Sequence, residues 1–190
     1  MDQILHWDQI VFSFLNHLGS RNFDAFWLWI TNQRHWVFLY VLIALSYFYY
    51  LGWRKALVAL LLAAAFLGIC DQTTNLIKFS VHRLRPWQDP IFKNNIRALL
   101  HPHNFSFISG HASNSTLFVW FSIYLLRQKA KWIYILLVWW LLFMYSRIYV
   151  GVHYPLDIIF GILWGLILFK ILLWIYPKVL NYFENKKAAG

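Results

Sequence analysis

The feature that most constrains this chain is the recurrence of apolar stretches of membrane-crossing length: Trp36–Leu51, Ala56–Phe79, His111–Leu126, Trp132–Tyr149 and Leu156–Tyr176. A hydrocarbon core roughly 30 Å thick takes about 20 apolar residues as a helix. Backbone exposed to lipid has to satisfy its hydrogen bonds within the segment, or else in a closed barrel. The short alternating strands of a barrel are missing from the sequence. The expected fold is therefore all-α, a polytopic transmembrane bundle of about five spanning helices. Composition agrees, since 61% of the 190 residues are hydrophobic and 21% aromatic.

Ahead of the first stretch, Ile4, Trp7, Val11, Phe14, Leu15 and Leu18 recur at helical spacing with Asp2, His6, Asp8, Gln9, Ser13 and Asn16 mostly between them. This predicts an amphipathic helix lying in the membrane interface. It has neither the basic start nor the cleavage site of a signal peptide and is expected to stay in the mature protein. The chain reads as one domain: interfacial N-terminal helices over 1–35, the bundle over 36–176, and a cytoplasmic tail over 177–190. The single cysteine, Cys70, lies in an apolar stretch and excludes an intrachain disulfide.

The net charge of +10 could suggest nucleic acid, but the basic residues fall mainly between the apolar stretches, so no nucleic-acid partner is expected. Arg54 and Lys55, then Arg127, Lys129 and Lys131, then Lys178, Lys186 and Lys187 occupy alternate connections. The positive-inside rule assigns those three regions to the cytoplasm. The connection after the second stretch faces outside yet carries Arg83, Arg85, Lys93 and Arg97. Those charges call for another explanation, and an anion-binding site is the obvious one.

Three clusters fall on that outer side. The first is Lys78, with Arg85-Pro86 after six intervening residues. Proline disfavours helix at Arg85, and an ammonium with a planar guanidinium suits the several oxygens of a phosphate; taken alone, the pair reads equally well as snorkelling at a helix end. The second is Ser109-Gly110-His111, which would present free amides and a helix dipole to an anion, or simply be an ordinary N-cap. The third is Ser146-Arg147, His153 and Asp157, with Pro155 opening the last helix. A carboxylate four residues after a histidine can take one ring N–H and leave the other nitrogen free to attack, or can merely cap the helix. Because the spans alternate in direction, all three clusters converge on one surface, and together they read as a phosphoester site.

Lys78…Arg85-Pro86, Ser109-Gly110-His111 and Ser146-Arg147…His153…Asp157 resemble the tripartite signature of the type 2 phosphatidic acid phosphatase family, and the number of spans resembles its membrane branch. The soluble vanadium haloperoxidases share that signature. One position departs from the pattern: Ile108 stands where the family usually has proline, which bears on the shape of the loop.

The resemblance implies a catalytic trio in which His153 attacks phosphorus, Asp157 orients it and His111 acts as general acid. It also implies that Lys78, Arg85, Ser109, Gly110 and Arg147 hold the phosphoryl oxygens. His82, Arg83, Lys93 and Arg97 are candidate headgroup contacts. No cofactor and no metal are expected. The outer face has several histidines but few carboxylates beyond Asp89 and Asp157, where a hydrolase metal site wants three or more ordered ligands.

The implied activity is hydrolysis of a membrane lipid phosphate or diphosphate by an integral protein of a bacterial cytoplasmic membrane, with the site on the extracytoplasmic side. Undecaprenyl diphosphate, phosphatidylglycerophosphate or phosphatidate, and a lipid A phosphate all fit. A lipid phosphotransferase using the same histidine, and a non-catalytic binding or transport protein, are the alternatives.

Overall fold

The computed structural model describes residues 2–92 and 95–188. Its helices are α1 (Asp2–His17), α2 (Asp24–Thr31), α3 (Val37–Leu51), α4 (Trp53–Val81), α5 (Gly110–Leu126), α6 (Ile135–Tyr149) and α7 (Pro155–Ala188), joined by loops and 3-10 turns, with no strand among the described residues. Helices α3 to α7 coincide with the five apolar stretches. Three segments are by themselves long and apolar enough to cross a membrane: Trp53–Phe92, Lys131–Tyr149 and Pro155–Phe183. The other two helices are shorter, α3 with 15 residues and α5 with 17.

Helix α5 is the centre of the bundle, packed by α3, α4, α6 and α7. Its buried residues include Ser113, Thr116 and Ser122 as well as Leu117, Val119 and Phe121. Shielded from lipid by its neighbours, it can carry polar groups that a lipid-facing helix could not, provided they are bonded. Ser122 pairs with Tyr47 at 2.8 Å, and Thr116 accepts from the Trp140 indole at 3.0 Å.

The tightest contact is between α5 and α7, and it depends on a Gly-x-x-x-Gly pair. A Cβ at Gly161 would stand 2.6 Å from the Ser109 carbonyl oxygen, and one at Gly165 would stand 2.5 Å from that of Ser113. Only glycine permits this approach, which is how small residues bring helix backbones together in lipid. It brings the N-terminus of α5 beside the first turns of α7, where the Ser109 N–H donates to the Asp157 carbonyl at 3.0 Å.

Helix α1 is amphipathic as its spacing predicts, and both of its faces have work. Ile4, Trp7, Phe14 and Leu18 are exposed, whereas Asp8, Phe12 and Asn16 are buried against the bundle. The Asn16 amide donates to the carbonyls of Ile148 at 3.0 Å and Arg97 at 3.1 Å, and its oxygen accepts from Arg97 N at 2.8 Å. The polar stripe is thus a docking face, and the apolar stripe faces outward. At the other end, the expected tail from residue 177 begins as helix. Proline removes a single backbone donor, and α7 continues through Pro177 to Ala188.

Candidate active site

The site forms where the C-terminal ends of α4 and α6 meet the N-terminal ends of α5 and α7. Two helix N-termini so placed bring free amides and positive dipole ends to one region. The loop from 82 to 109, the longest between helices, is strapped across it. Ser106 N donates to the Arg83 carbonyl at 2.8 Å, and Arg85 ties both ends through Asn104, with Nε on its carbonyl at 2.8 Å and Nη2 on its Oδ1 at 2.7 Å. The Phe107–Ile108 peptide, at the departure from the family pattern, is cis, and Ile108 is buried.

His153 occupies the turn before α7. Its Nε2 lies 3.3 Å from Arg85 Nη1, which also donates to the Val152 carbonyl at 2.8 Å, and its Nδ1 lies 3.4 Å from Asp157 Oδ2 and 3.4 Å from Ser106 Oγ. Guanidinium only donates, so the contact assigns a lone pair to Nε2 and the ring proton to Nδ1, facing the carboxylate. Burial, followed by the charges of Arg85, Arg147 and Lys78, holds His153 well below the ordinary histidine value and keeps the ring neutral.

Asp157 is saturated with donors: Tyr154 N at 2.9 Å, Arg83 Nη1 at 2.7 Å, and the Ser106 hydroxyl. Arg83 is itself a bridge. Its other terminal nitrogen donates to Asp8 of α1 at 2.6 Å, its guanidinium lies 4.0 Å over the Tyr154 ring, and Asp8 Oδ1 accepts from Leu156 N at 2.9 Å in the first turn of α7. A chain of charge-assisted bonds therefore runs Asp8–Arg83–Asp157 and ends beside His153.

The remaining candidate residues gather near the N-terminus of α5 and the end of α6. Lys78 is buried in the last turn of α4, and a Cβ on Gly110 would stand 3.6 Å from its Nζ, so the ammonium reaches the α5 N-terminus. Ser109 caps α5, accepting from Ala112 N at 3.4 Å. Arg147 is buried at the end of α6; its Nη1 donates to Thr31 Oγ1 of α2, and its Nε has no partner. His111 stacks on Phe143 with ring centres 5.5 Å apart. His111 and Arg147 line a polar cavity of about 500 Å³ together with Thr31, Gln33 and Arg34. A second, mostly apolar cavity of about 440 Å³ runs from His111 and Gln33 between α3, α4 and α5.

The candidate headgroup contacts have different surroundings. Arg83 is taken by two carboxylates. Arg97 pairs with Asp24 and lies over Tyr149, tying the loop to the N-terminal helices. His82 ends α4 in the left-handed conformation with its ring against Phe105. Lys93 lies outside the described residues. Among the described residues, no group of three or more His, Cys, Asp or Glu side chains could hold a metal ion.

Sequence reasoning passed over Ser106, Asn104, Asp8 and the turn Thr31–Arg34. Asp8 and Asn16 did leave a signal: eight residues apart, they share a stripe that a helix resting on water would have no need to bury. Ser106 and Asn104 left none, because loop polarity carries no address.

These features define an all-helical membrane protein whose buried, cation-ringed histidine is oriented by a carboxylate. The PAP2 superfamily profile matches residues 52–180, and the chain belongs to that superfamily. It is 31% identical to a lipid A 4'-phosphatase of Porphyromonas gingivalis over 172 residues, covering 88% of this chain and 72% of that protein. It is 32% identical to one of Bacteroides thetaiotaomicron over 160 residues, covering 80% and 69%. Among solved structures, the fold resembles a transmembrane PAP2-type phosphatidylglycerolphosphate phosphatase of Bacillus subtilis, with TM-score 0.71 and 24% identity, covering 94% of this chain and 89% of that one. It also resembles Aquifex aeolicus LpxE, with TM-score 0.62 and 23% identity, covering 86% and 92%. Its relatives are membrane lipid phosphatases.

Proposed function

We propose that this protein hydrolyses a phosphate ester of a membrane lipid through a phosphohistidine on His153, without a metal, at the extracytoplasmic face of a bacterial cytoplasmic membrane. The observation that carries the reading is the polarity of the His153 ring: Nδ1 faces Asp157 at 3.4 Å while Nε2 faces the Arg85 guanidinium at 3.3 Å. A lone pair aimed into a group of phosphate-binding cations is the arrangement an in-line attack needs.

In the first step the Nε2 lone pair forms the N–P bond as the P–O bond to the lipid breaks, and His111 protonates the departing oxygen. Asp157, kept in place by Arg83, Ser106 and Tyr154 N, stabilises the imidazolium character that develops. Lys78, Arg85, Arg147, Ser109 and the Gly110 amide hold the three equatorial oxygens. In the second step water attacks phosphorus, His111 takes its proton, and N–P cleavage returns neutral His153 with release of inorganic phosphate. A phosphorylated glycolipid of the lipid A type is the favoured substrate, on the strength of the two relatives aligned over most of the chain.

The test is phosphate release by the detergent-purified protein, with chelator present, from lipid A, undecaprenyl diphosphate, phosphatidylglycerophosphate and phosphatidate. Release from one of them that disappears in His153→Ala, together with acid-labile phosphate trapped on the native chain, is the expected result. Activity untouched by the substitution, or abolished by the chelator, would overturn the mechanism.

A further inference from the structure

We propose that Arg34, on the turn between α2 and α3, binds a second phosphate of the substrate, so that the lipid cleaved is one carrying two. The inference rests on the phosphatase reading above and extends it to substrate class. Its starting point is the polar cavity of about 500 Å³, whose lining combines His111 and Arg147 from the catalytic cluster with Thr31, Asn32, Gln33 and Arg34. His153, Lys78 and Arg85 do not line it, so the cavity adjoins the cluster around His153 through His111 and Arg147 and extends from them to the turn.

The turn fixes the backbone of Arg34, whose side chain is exposed. Asn32 caps it, its Oδ1 accepting from Arg34 N at 3.1 Å, and the Asn32 amide lies 3.3 Å from His35 Nε2. His35 in turn stacks on Trp29 with ring centres 5.2 Å apart. Thr31, immediately before, is the residue to which Arg147 is bonded. Both ends of the turn are thus fixed, and the Arg34 guanidinium forms no ion pair among the described residues. Arg147, only 6% exposed, leaves its Nε without a partner, an unmet donor in the wall shared with Arg34.

Charge counting points the same way. Lys78, Arg85 and Arg147 also form no ion pair among the described residues. A phosphate monoester brings a charge of about −1.5 to −2. Arg83 with its two carboxylates, Asp8 and Asp157, adds a net charge of −1, so the three cations around His153 are roughly offset by one monoester, and the charge left over is that of Arg34, about one. A second phosphate in the adjoining cavity, between Arg34 and Arg147, offsets it, and a fork of guanidinium donors suits its oxygens. Two sources have this chemistry: the distal phosphate of a lipid diphosphate, and a separate phosphate on the sugar of a glycolipid.

Both sources are distinguished by measuring kcat and KM on two matched pairs: a polyprenyl monophosphate against its diphosphate, and a singly against a doubly phosphorylated disaccharide lipid. The native protein is expected to favour the two-phosphate member of one pair by about tenfold in kcat/KM, and that pair names the source. Arg34→Gln should reduce this ratio at least fivefold through KM, and Arg34→Lys should restore part of it. Equal losses on both members in Arg34→Gln, or no native preference in either pair, would overturn the role of Arg34 and leave the phosphatase standing. Failure to release phosphate from all four would overturn this inference, and failure on phosphatidylglycerophosphate and phosphatidate as well would overturn the phosphatase reading with it.

Discussion

Replacing Asp8 by alanine tests whether α1 is part of the site or only rests on it. The substitution removes two bonds at once: the 2.6 Å pair with Arg83 and the 2.9 Å bond from Leu156 N at the start of α7. Breaking a fully buried ion pair costs about 3–5 kcal/mol. Here the figure is smaller, because the Arg83 side chain is 16% exposed and keeps its partner Asp157; about 2 kcal/mol is the appropriate magnitude after that discount. Loss of the cap on the Leu156 amide adds about 1 kcal/mol, for a total near 3 kcal/mol.

For a chain of this length, ~2–4 °C of Tm accompanies each kcal/mol, so Asp8→Ala should unfold roughly 6–12 °C below the native protein in detergent. Asp8→Asn, which keeps a carbonyl for Leu156 N but loses the charge, should fall between the two. Because Arg83 links Asp8 to Asp157, kcat should drop while KM stays close to native, Asp8 making no bond to the residues proposed to hold phosphate. Thermal unfolding followed by tryptophan fluorescence, paired with steady-state kinetics on the preferred lipid, reads both quantities. A Tm within about 2 °C of native together with native kcat would refute the idea that α1 holds Asp157 through Arg83.

Two further outcomes follow from the same geometry. His153 is held neutral by burial and neighbouring cations, so its folded pKa lies below the ordinary 6.5. The unfolded chain therefore binds the proton first, and stability present above about pH 6.5 should decline as pH falls, by up to ~1.4 kcal/mol per unit for this group; chemical unfolding at pH 7.5 and 5.5 checks the sign, and His153→Gln should remove that part of the slope. At the α5–α7 contact, Gly165→Ala forces a methyl to within 2.5 Å of the Ser113 carbonyl, and overpacking of this kind costs about 1–3 kcal/mol. The Tm should fall and phosphate affinity should weaken as the α5 N-terminus is displaced; a native-like Tm would mean the helices separate freely.

The sequence by itself determined the helical class, the family and the chemical groups. Apolar length specifies helices because lipid offers the backbone no other partners, and alternation of the spans brings Lys78, Arg85, Ser109, His111, Arg147, His153 and Asp157 to one side. Those statements depend on composition and order along the chain, which sequence displays directly. What only the tertiary structure decided is who orients whom. Arg83 read as a loop charge free to meet a headgroup, yet it is the link between Asp157 and a helix 75 residues away from it in sequence. The turn Thr31–Arg34 read as part of an interfacial segment, yet it walls the cavity beside His111. Such pairings bring together residues far apart in the chain, fixed by how closely α5 and α7 pack and how α1 docks, and no local periodicity records them.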